Sequence, residues 1–247
     1  MTSPTQKRAL ITGASRGIGR STALAFAQAG IDLILIGRSQ GDLKSVAELA
    51  QQSAQQAQTS IEVQICPLDL ADLPQVRPKV AQICEQYGPL DILVNNAGMA
   101  YTGPLDQMSL EDWQRVINLN LTSVFLCIQG ALPTLRHRGS STIINLSSIA
   151  AQQPFPGWGA YSVSKAGLVT LSQAIAAEER AHGVRVSVVA PGATNTPLWD
   201  TETVDVELDR GQMLHPDTIA QSILHVALAP AGSVIESLVV TPNAGAL

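Results

Sequence analysis

The sequence contains little that could build a metal or disulfide site. Its 247 residues include only three cysteines, Cys66, Cys84 and Cys127, which lie far apart in apolar stretches. No spacing among them is typical of a zinc site or a disulfide framework, so we expect no metal and interpret them as buried thiols in a reducing compartment. The first seven residues are too short and polar for a signal peptide, and the longest apolar run, near 31–36, is too short to span a bilayer. We therefore expect a cytoplasmic protein with no membrane partner.

Charge is also scarce. Charged residues make up 14% of the chain and the net charge is −5, which argues against nucleic acid as the main partner. Hydrophobic residues make up 45%, enough for a sizeable core, and the length suits one α/β domain over 1–247.

Apolar runs alternate with amphipathic stretches along the whole chain. The pattern predicts strands at 8–12, 31–36, 61–66, 90–94, 142–146, 184–189 and 238–240, and helices at 17–30, 42–58, 73–87, 110–135, 160–182 and 217–228. The predicted strands are continuously apolar, which indicates burial on both faces. We therefore predict a doubly wound, three-layer α/β sandwich: a mostly parallel seven-stranded sheet with helices on both faces and a ligand site at the carboxyl ends of the strands.

A glycine-rich turn follows the first predicted strand. In "TGASRGIGR", residues 12–20, Gly13, Gly17 and Gly19 precede a predicted helix. Glycine lets the backbone approach a pyrophosphate, which then lies at the helix N-terminus. An ordinary strand-to-helix connection is the alternative interpretation, and the position after the first strand favours a nucleotide.

The end of the second predicted strand indicates which nucleotide. In "ILIGRSQ", Gly37 stands where an NAD site carries an acid, and Arg38 and Ser39 follow. A guanidinium suits a 2′-phosphate, and Arg16 in the glycine loop offers a second cation. Alternatively, Arg38 is a surface residue and Ser39 a helix N-cap. We favour NADP(H) over NAD(H).

Further motifs follow in order at the strand ends: "CPLDLAD", "LVNNAG", "NLSSIA" and "APGATNTP", with "YSVSK" beginning thirteen residues after Ser148. Together with the glycine loop, this set resembles the short-chain dehydrogenase/reductase family over residues 7 to 242. The resemblance implies a Rossmann-type fold and NADP(H)-dependent reduction of a small ketone or aldehyde to an alcohol.

The resemblance also implies roles for individual residues. The catalytic residues would be Asn120, Ser148, Tyr161 and Lys165, with Asn118 competing for the role of Asn120. The cofactor would contact Gly13, Ser15, Arg16, Gly17, Ile18, Gly19, Arg38, Ser39, Asp69, Leu70, Asn95, Ala97, Gly98, Tyr161, Lys165, Pro191, Gly192, Thr194 and Thr196.

The chemistry of the reaction explains these residue types. A phenol can protonate a carbonyl oxygen, but its ordinary pKa is about 10. Lys165 lies four residues after Tyr161 on one helix face, so we expect its charge to lower that pKa. The Ser148 hydroxyl would stabilise the developing alkoxide. Asn120 would hold a helix distortion and a water molecule that reprotonates Lys165.

The substrate end is less specified. Only nine residues are aromatic, yet Tyr101, Phe155, Trp158 and Trp199 fall in loops at strand ends. They predict an apolar pocket, or alternatively they simply cover the core. By resemblance, 196–215 is a lid over the substrate. Its acids disfavour anionic substrates: Asp200, Glu202, Asp205, Glu207 and Asp209, against Arg210 alone.

Two other functions stay open. Many relatives are 3-oxoacyl-[acyl-carrier-protein] reductases, and Arg136, Arg138 and Arg180 would be a docking patch for an acidic carrier. Such relatives usually end in an aspartate–glycine–glycine segment, whereas this chain ends "VVTPNAGAL". A non-catalytic NADP(H)-binding sensor or scaffold is the alternative of another class. The resemblance also implies a homodimer or homotetramer through the helices of Asn120 and Tyr161.

Overall fold

The computed structural model describes residues 6–206 and 208–245, and it contains a seven-stranded sheet in the order β3-β2-β1-β4-β5-β6-β7. Every neighbouring pair of strands is parallel. The strands are β1 Arg8–Thr12, β2 Asp32–Gly37, β3 Val63–Pro67, β4 Ile92–Asn95, β5 Ser141–Leu146, β6 Val184–Pro191 and β7 Ser237–Val240. The doubly wound prediction is confirmed, with a sheet that is wholly parallel.

Helices cover both faces of this sheet. They are α1 Gly17–Gln28, α2 Gln40–Gln56, α3 Leu73–Tyr87, α4 Leu110–Ile117, α5 Ser123–Arg138, α6 Gly159–Glu179 and α7 Pro216–Ala227. One core cluster packs α1, α2 and α7 on one face, and a second packs α3, α5 and α6 on the other. The predicted elements are all present, with ends that differ by a few residues.

Two differences have local causes. The helix predicted over 160–182 ends at Glu179, and Arg180–His182 tightens into a 3-10 turn before Gly183, which adopts φ 72°. Strand β4 begins at Ile92 rather than residue 90, and the Asp91 carboxylate accepts a hydrogen bond from the Arg8 backbone N–H at 2.9 Å.

The helix predicted over 110–135 consists of two α-helices and a π-helical segment between them. A π segment, Asn118–Thr122, joins α4 to α5 without a break in the helical path. The run 110–138 is long and apolar enough, by length and composition, to cross a membrane. In this fold its inner side lies in the core, where Val124, Cys127 and Ile128 pack into the second cluster.

Candidate active site

A cleft of about 1610 Å³ opens along the carboxyl ends of the strands. It runs from the glycine loop after β1, past the ends of β2, β3, β4 and β5, to the segment after β6. Strands of a parallel sheet end at one edge, and chain reversals there leave room for a ligand. The fold therefore brings the motifs together that the chain spreads over almost 200 residues.

The glycine loop packs closely on the loop after β4. Gly13 and Gly17 have φ 64° and 54°, and a Cβ on Gly13 would lie 2.8 Å from Ala97 Cα. Thr12 Oγ1 accepts hydrogen bonds from the backbone N–H groups of Asn96 at 3.0 Å and Ala97 at 3.1 Å. Asn96 Nδ2 donates to Thr12 O at 2.9 Å. These hydrogen bonds fix the glycine loop against the loop after β4 and leave space for a ligand at the N-terminus of α1.

Asn95 does not join this site. It is buried in β4, where its Nδ2 donates to Asn145 Oδ1 at 2.8 Å, and Asn145 Nδ2 in turn donates to Ser172 Oγ at 2.8 Å. The adjacent Asn96 lines the cleft instead. Successive side chains of a strand point to opposite sides, so only one residue of an asparagine pair can reach the loop edge. In the sequence, the two adjacent asparagines of "LVNNAG" were the feature that could have pointed to Asn96 as the cleft residue.

The other predicted cofactor residues line the cleft, with the exception of Gly19, which is buried in the first turn of α1. Arg16 and Arg38 are exposed at one end of it, and no carboxylate within 6–206 or 208–245 forms an ion pair with either. Ser39 lies beside them, and its Oγ also caps α2 by accepting from the Asp42 N–H at 3.2 Å. Asp42 and Asp69 line this end too. The N-cap interpretation of Ser39 is confirmed, and contact of Ser39 with a cofactor stays a prediction.

Tyr161, Lys165 and Ser148 meet at the centre of the cleft. The tyrosine and lysine lie one turn apart on α6, with Lys165 Nζ 5.7 Å from the centroid of the tyrosine ring. Lys165 Nζ donates to Leu146 O at 2.8 Å at the end of β5, and Ser148 follows two residues later. The Ser148 hydroxyl lies near enough to the Tyr161 hydroxyl to lower its pKa, and Ser148 Oγ accepts from Ala150 N at 3.1 Å. Strand β5 and helix α6 thus supply one group of side chains.

The pKa values of this group differ from the expectation. Burial raises the pKa of the Tyr161 phenol above its ordinary value, and the nearby Ser148 hydroxyl lowers it by less. Burial lowers the pKa of the Lys165 ammonium to about 8. The expected lowering of the tyrosine pKa by Lys165 is therefore wrong for the protein without a ligand, because removal of both groups from water disfavours both charged forms.

Asn120 lies behind these residues in the π segment and is fully buried. Its Oδ1 accepts from Met99 N at 2.8 Å, and its Nδ2 donates to Met99 O at 2.9 Å and Ser164 Oγ at 3.0 Å. The expected helix distortion is present. Asn118 instead lines the cleft and accepts from Gln114 Nε2 at 2.8 Å in an exposed hydrogen bond, so the two asparagines have different surroundings.

An aromatic wall stands beside Tyr161. The Trp158 ring meets the Tyr161 ring edge-on at a centroid distance of 5.4 Å and the Trp199 ring at 5.7 Å. Phe155 and Met99 also line this end of the cleft. Tyr101, the fourth predicted aromatic, is not among the lining residues, and its ring lies against Gly103.

Two of the four described acids of the predicted lid, Asp200 and Asp209, have local partners. Asp200 pairs with Arg210 at 2.5 Å, and Asp209 Oδ1 caps a 3-10 turn by accepting from Gly211 N at 2.9 Å. Glu202 lines the cleft with Asp200, and Asp205 is exposed. Glu207 lies outside the described residues. At the cleft, the Asp200 carboxylate is therefore paired with Arg210, whereas the Glu202 carboxylate lines the cleft without an ion pair among the described residues.

Comparisons with known proteins point in one direction. The family model described as short chain dehydrogenase matches residues 7–207. A 3-oxoacyl-[acyl-carrier-protein] reductase of Synechocystis sp. is 35% identical over 240 residues, which are 95% of this chain and 94% of the relative. A sepiapterin reductase of Chlorobaculum tepidum is 33% identical over 96% of both chains.

A solved structure adds a nucleotide-bound neighbour. An alcohol dehydrogenase of the archaeon Thermococcus sibiricus, complexed with 5-hydroxy-NADP, superimposes with a TM-score of 0.83. It is 27% identical, and the match covers 95% of this chain and 96% of that one.

Proposed function

This chain belongs to the short-chain dehydrogenase/reductase family, and we propose that it is an NADP(H)-dependent reductase of small carbonyl compounds with Tyr161 as the proton donor. The observation that carries the proposal is the meeting of Tyr161, Ser148 and Lys165 beside a glycine loop built for a nucleotide. A protein that only bound the nucleotide would have no use for a half-buried phenol beside a serine and an ammonium at that place.

The residues of the cleft fit a dinucleotide. The glycines and the N-terminus of α1 suit a pyrophosphate, because backbone N–H groups there have no partner within the helix. A Cβ on Gly37 would collide with Ser15 Oγ, so an acid at this end of β2, as an NAD ribose needs, would have to displace the Ser15 side chain. Arg16 and Arg38 offer positive charge at the same end, which supports recognition of a 2′-phosphate. NADP(H) is therefore the proposed cofactor.

The protein residues would divide the chemistry among them. NADPH, when bound, supplies the hydride. Tyr161 keeps its proton at neutral pH because burial raises its pKa, so it is ready to protonate the carbonyl oxygen. Ser148 donates to the same oxygen as negative charge develops. Lys165 stabilises the phenolate that results and, with a pKa of about 8, can return a proton to it.

Asn120 would act by position. Its three hydrogen bonds hold Met99 and Ser164, and the Gly98 position lies between it and Lys165: a Cβ there would be 3.1 Å from Asn120 Oδ1 and 3.5 Å from Lys165 Nζ. Because all its bonds go to protein groups, the expected role of holding a water needs a small rearrangement of this side chain.

The substrate end favours a compact, apolar carbonyl compound. The rings of Trp158 and Trp199 present apolar surface next to the Tyr161 hydroxyl, and Phe155 and Met99 extend it. An apolar pocket with few polar groups selects by shape and size.

Reduction of 3-oxoacyl thioesters on a carrier protein is the second candidate, favoured by the name of the Synechocystis relative. Of the three docking arginines expected from the sequence, Arg180 is exposed, and the other two have partners within the fold. Arg136 binds Glu179 through two hydrogen bonds and Arg138 binds Asp91, so both are engaged in the fold. Within a single copy of the chain, Arg136 and Arg138 also lie near the amino ends of the strands, whereas the cleft lies at the carboxyl ends.

Association into a homodimer or homotetramer remains a proposal. Phe125 on α5 and Val163 on α6 are 40% and 49% exposed, and such apolar surface favours contact between copies. The three free, buried thiols suit a cytoplasmic location.

The test is NADPH oxidation, followed at 340 nm, against ketones, aldehydes, diketones, 3-oxo esters and a 3-oxoacyl carrier thioester. We expect turnover of several free carbonyl compounds, and loss of it by at least about 100-fold in Tyr161→Phe with NADPH binding kept. Tight NADPH binding with no turnover of any compound would favour the sensor or scaffold instead. Preference for the carrier thioester would favour the second candidate.

A further inference from the structure

The segment after β6 lies where the proposed nicotinamide site is, yet little within it determines its shape. It leaves the sheet at Pro191, and residues 192–198 line the cleft through Thr194 and Thr196 among others. Its own hydrogen bonds are two: Thr194 Oγ1 donates to Gly192 O at 2.9 Å, and Leu198 N donates to Thr196 Oγ1 at 3.4 Å. Leu214 holds its first part from outside, since Leu214 N donates to Ala193 O and Asn195 N donates to Leu214 O, both at 2.9 Å. The part from the Asn195 side chain onward needs further partners to keep one conformation.

Arg210 supplies such partners from the far end of the lid. Its Nη1 donates to Asn195 Oδ1 at 2.9 Å and to the Thr196 backbone O at 3.0 Å. Its Nη2 donates to Asp200 Oδ1 at 2.5 Å. One planar guanidinium thus ties three points of the stretch 195–200 together, which a lysine, with a single nitrogen, cannot reproduce.

The same clamp extends to the aromatic wall. Asp200 directly follows Trp199, so the ion pair with Arg210 restrains the tryptophan that meets Trp158. The Trp199 indole N–H donates to Thr194 O at 2.7 Å, on the cofactor segment. The cofactor segment and the substrate wall are therefore held as one unit, with Arg210 at their junction.

We propose that Arg210 is a positioning residue for the reaction: it sets the nicotinamide-facing segment through Asn195 and Thr196, and the substrate wall through Asp200. The inference rests on the proposed function. Arg210 itself lies outside the main cleft, so it acts through these residues and touches neither ligand. The adenosine end, with Arg38, is at the other end of the cleft and independent of the clamp.

This separation defines the experiment. Binding of NADPH and of 2′-phospho-ADP-ribose, which lacks the nicotinamide, is measured for the wild-type protein and for Arg210→Gln. We expect the variant to lose about 10-fold in NADPH affinity, and to keep 2′-phospho-ADP-ribose affinity within about twofold. Arg180→Gln, which changes an exposed arginine at the other edge of the sheet, is the control and should change neither.

A second variant separates the two arms of the clamp. Asp200→Ala leaves the bonds to Asn195 and Thr196 in place, so it should raise KM for the ketone substrate with little effect on NADPH affinity. Equal losses of both ligands in Arg210→Gln would mean a general structural role and overturn the proposal, as would unchanged NADPH affinity. If Arg210→Gln folds poorly, Arg210→Lys gives the same comparison with the same criteria. Failure of the wild-type protein to bind either ligand would instead overturn the proposed function.

Discussion

Replacement of Asn120 by alanine tests whether the π segment is held by its side chain. The amide makes three hydrogen bonds to Met99 and Ser164 and has no exposed surface. The matched control is Asn118→Ala, the same substitution two residues away in the same segment. The Asn118 side chain is half-buried, lines the cleft and accepts one exposed hydrogen bond, from Gln114.

The magnitude follows from these contacts. Each buried hydrogen bond contributes about 1 kcal/mol net, so loss of three lowers the free energy of unfolding by about 3 kcal/mol. For a chain of this size 1 kcal/mol shifts Tm by about 2–4 °C, so Asn120→Ala should melt about 6–12 °C lower. A half-buried polar side chain with one exposed bond is worth about 0.5 kcal/mol, so Asn118→Ala should melt within about 2 °C of wild type.

Thermal unfolding followed by circular dichroism, at one scan rate and protein concentration, measures both shifts. Equal shifts for the two variants would refute the inference that the Asn120 side chain holds the π segment. Both substitutions remove the same kind of side chain, and the two asparagines differ only in their burial and hydrogen bonding. A shift below about 2 °C for Asn120→Ala would show that its three bonds are replaced by water or by relaxation.

Three more outcomes are expected. Arg38→Ala should raise KM for NADPH about 10- to 100-fold and leave KM for NADH almost unchanged, since a charge-assisted bond to phosphate is lost; equal changes would remove this arginine from phosphate recognition. Lys165→Met should be more stable than wild type at pH 7, because the folded protein buries the charged ammonium of Lys165. Between pH 8 and 10 the wild-type protein should gain about 2 kcal/mol of unfolding free energy relative to the variant. The folded pKa of about 8 lies below the unfolded value, so the penalty for burying the charge disappears as the amine loses its proton. Stability is compared as this difference because the buried thiols, whose pKa values burial raises, oppose the trend above pH 9 in both proteins; a flat difference would mean that the lysine is not desolvated. Trp158→Ala should raise kcat/KM for 2-acetylnaphthalene relative to 2-butanone by about 10-fold, and an unchanged ratio would mean that the aromatic wall does not limit substrate size.

Much of the fold was readable from local pattern. Continuous apolar runs predicted the strands, because a strand buried on both faces needs apolar residues at every position. The amphipathic stretches between these runs predicted the helices. Element ends were less accurate, as at β4, where the Asp91 side chain takes up a backbone partner before the strand begins. The motifs also predicted that Ser148, Tyr161 and Lys165 lie in one cleft, since parallel strands end at one edge.

Three features depended on contacts between distant residues. Sequence order does not tell which asparagine of "NN" faces the glycine loop, and the strand places Asn96 there. Two of the three arginines expected to dock a carrier, Arg136 and Arg138, are bound to Glu179 and Asp91, partners 43 and 47 residues away along the chain. The pKa of Tyr161 rises where the sequence favoured a fall, because burial is a property of the packed fold.

The sequence by itself thus determined the order of strands and helices and the residue types at each strand end, because periodicity and motif spacing are local properties of the chain. Only the tertiary structure decided which of those side chains are desolvated, which charges are already paired, and that Arg210 closes on Asn195 and Thr196. Those outcomes depend on which surfaces meet when the helices pack. The groups in each long-range contact bind water instead of each other until that packing excludes the water.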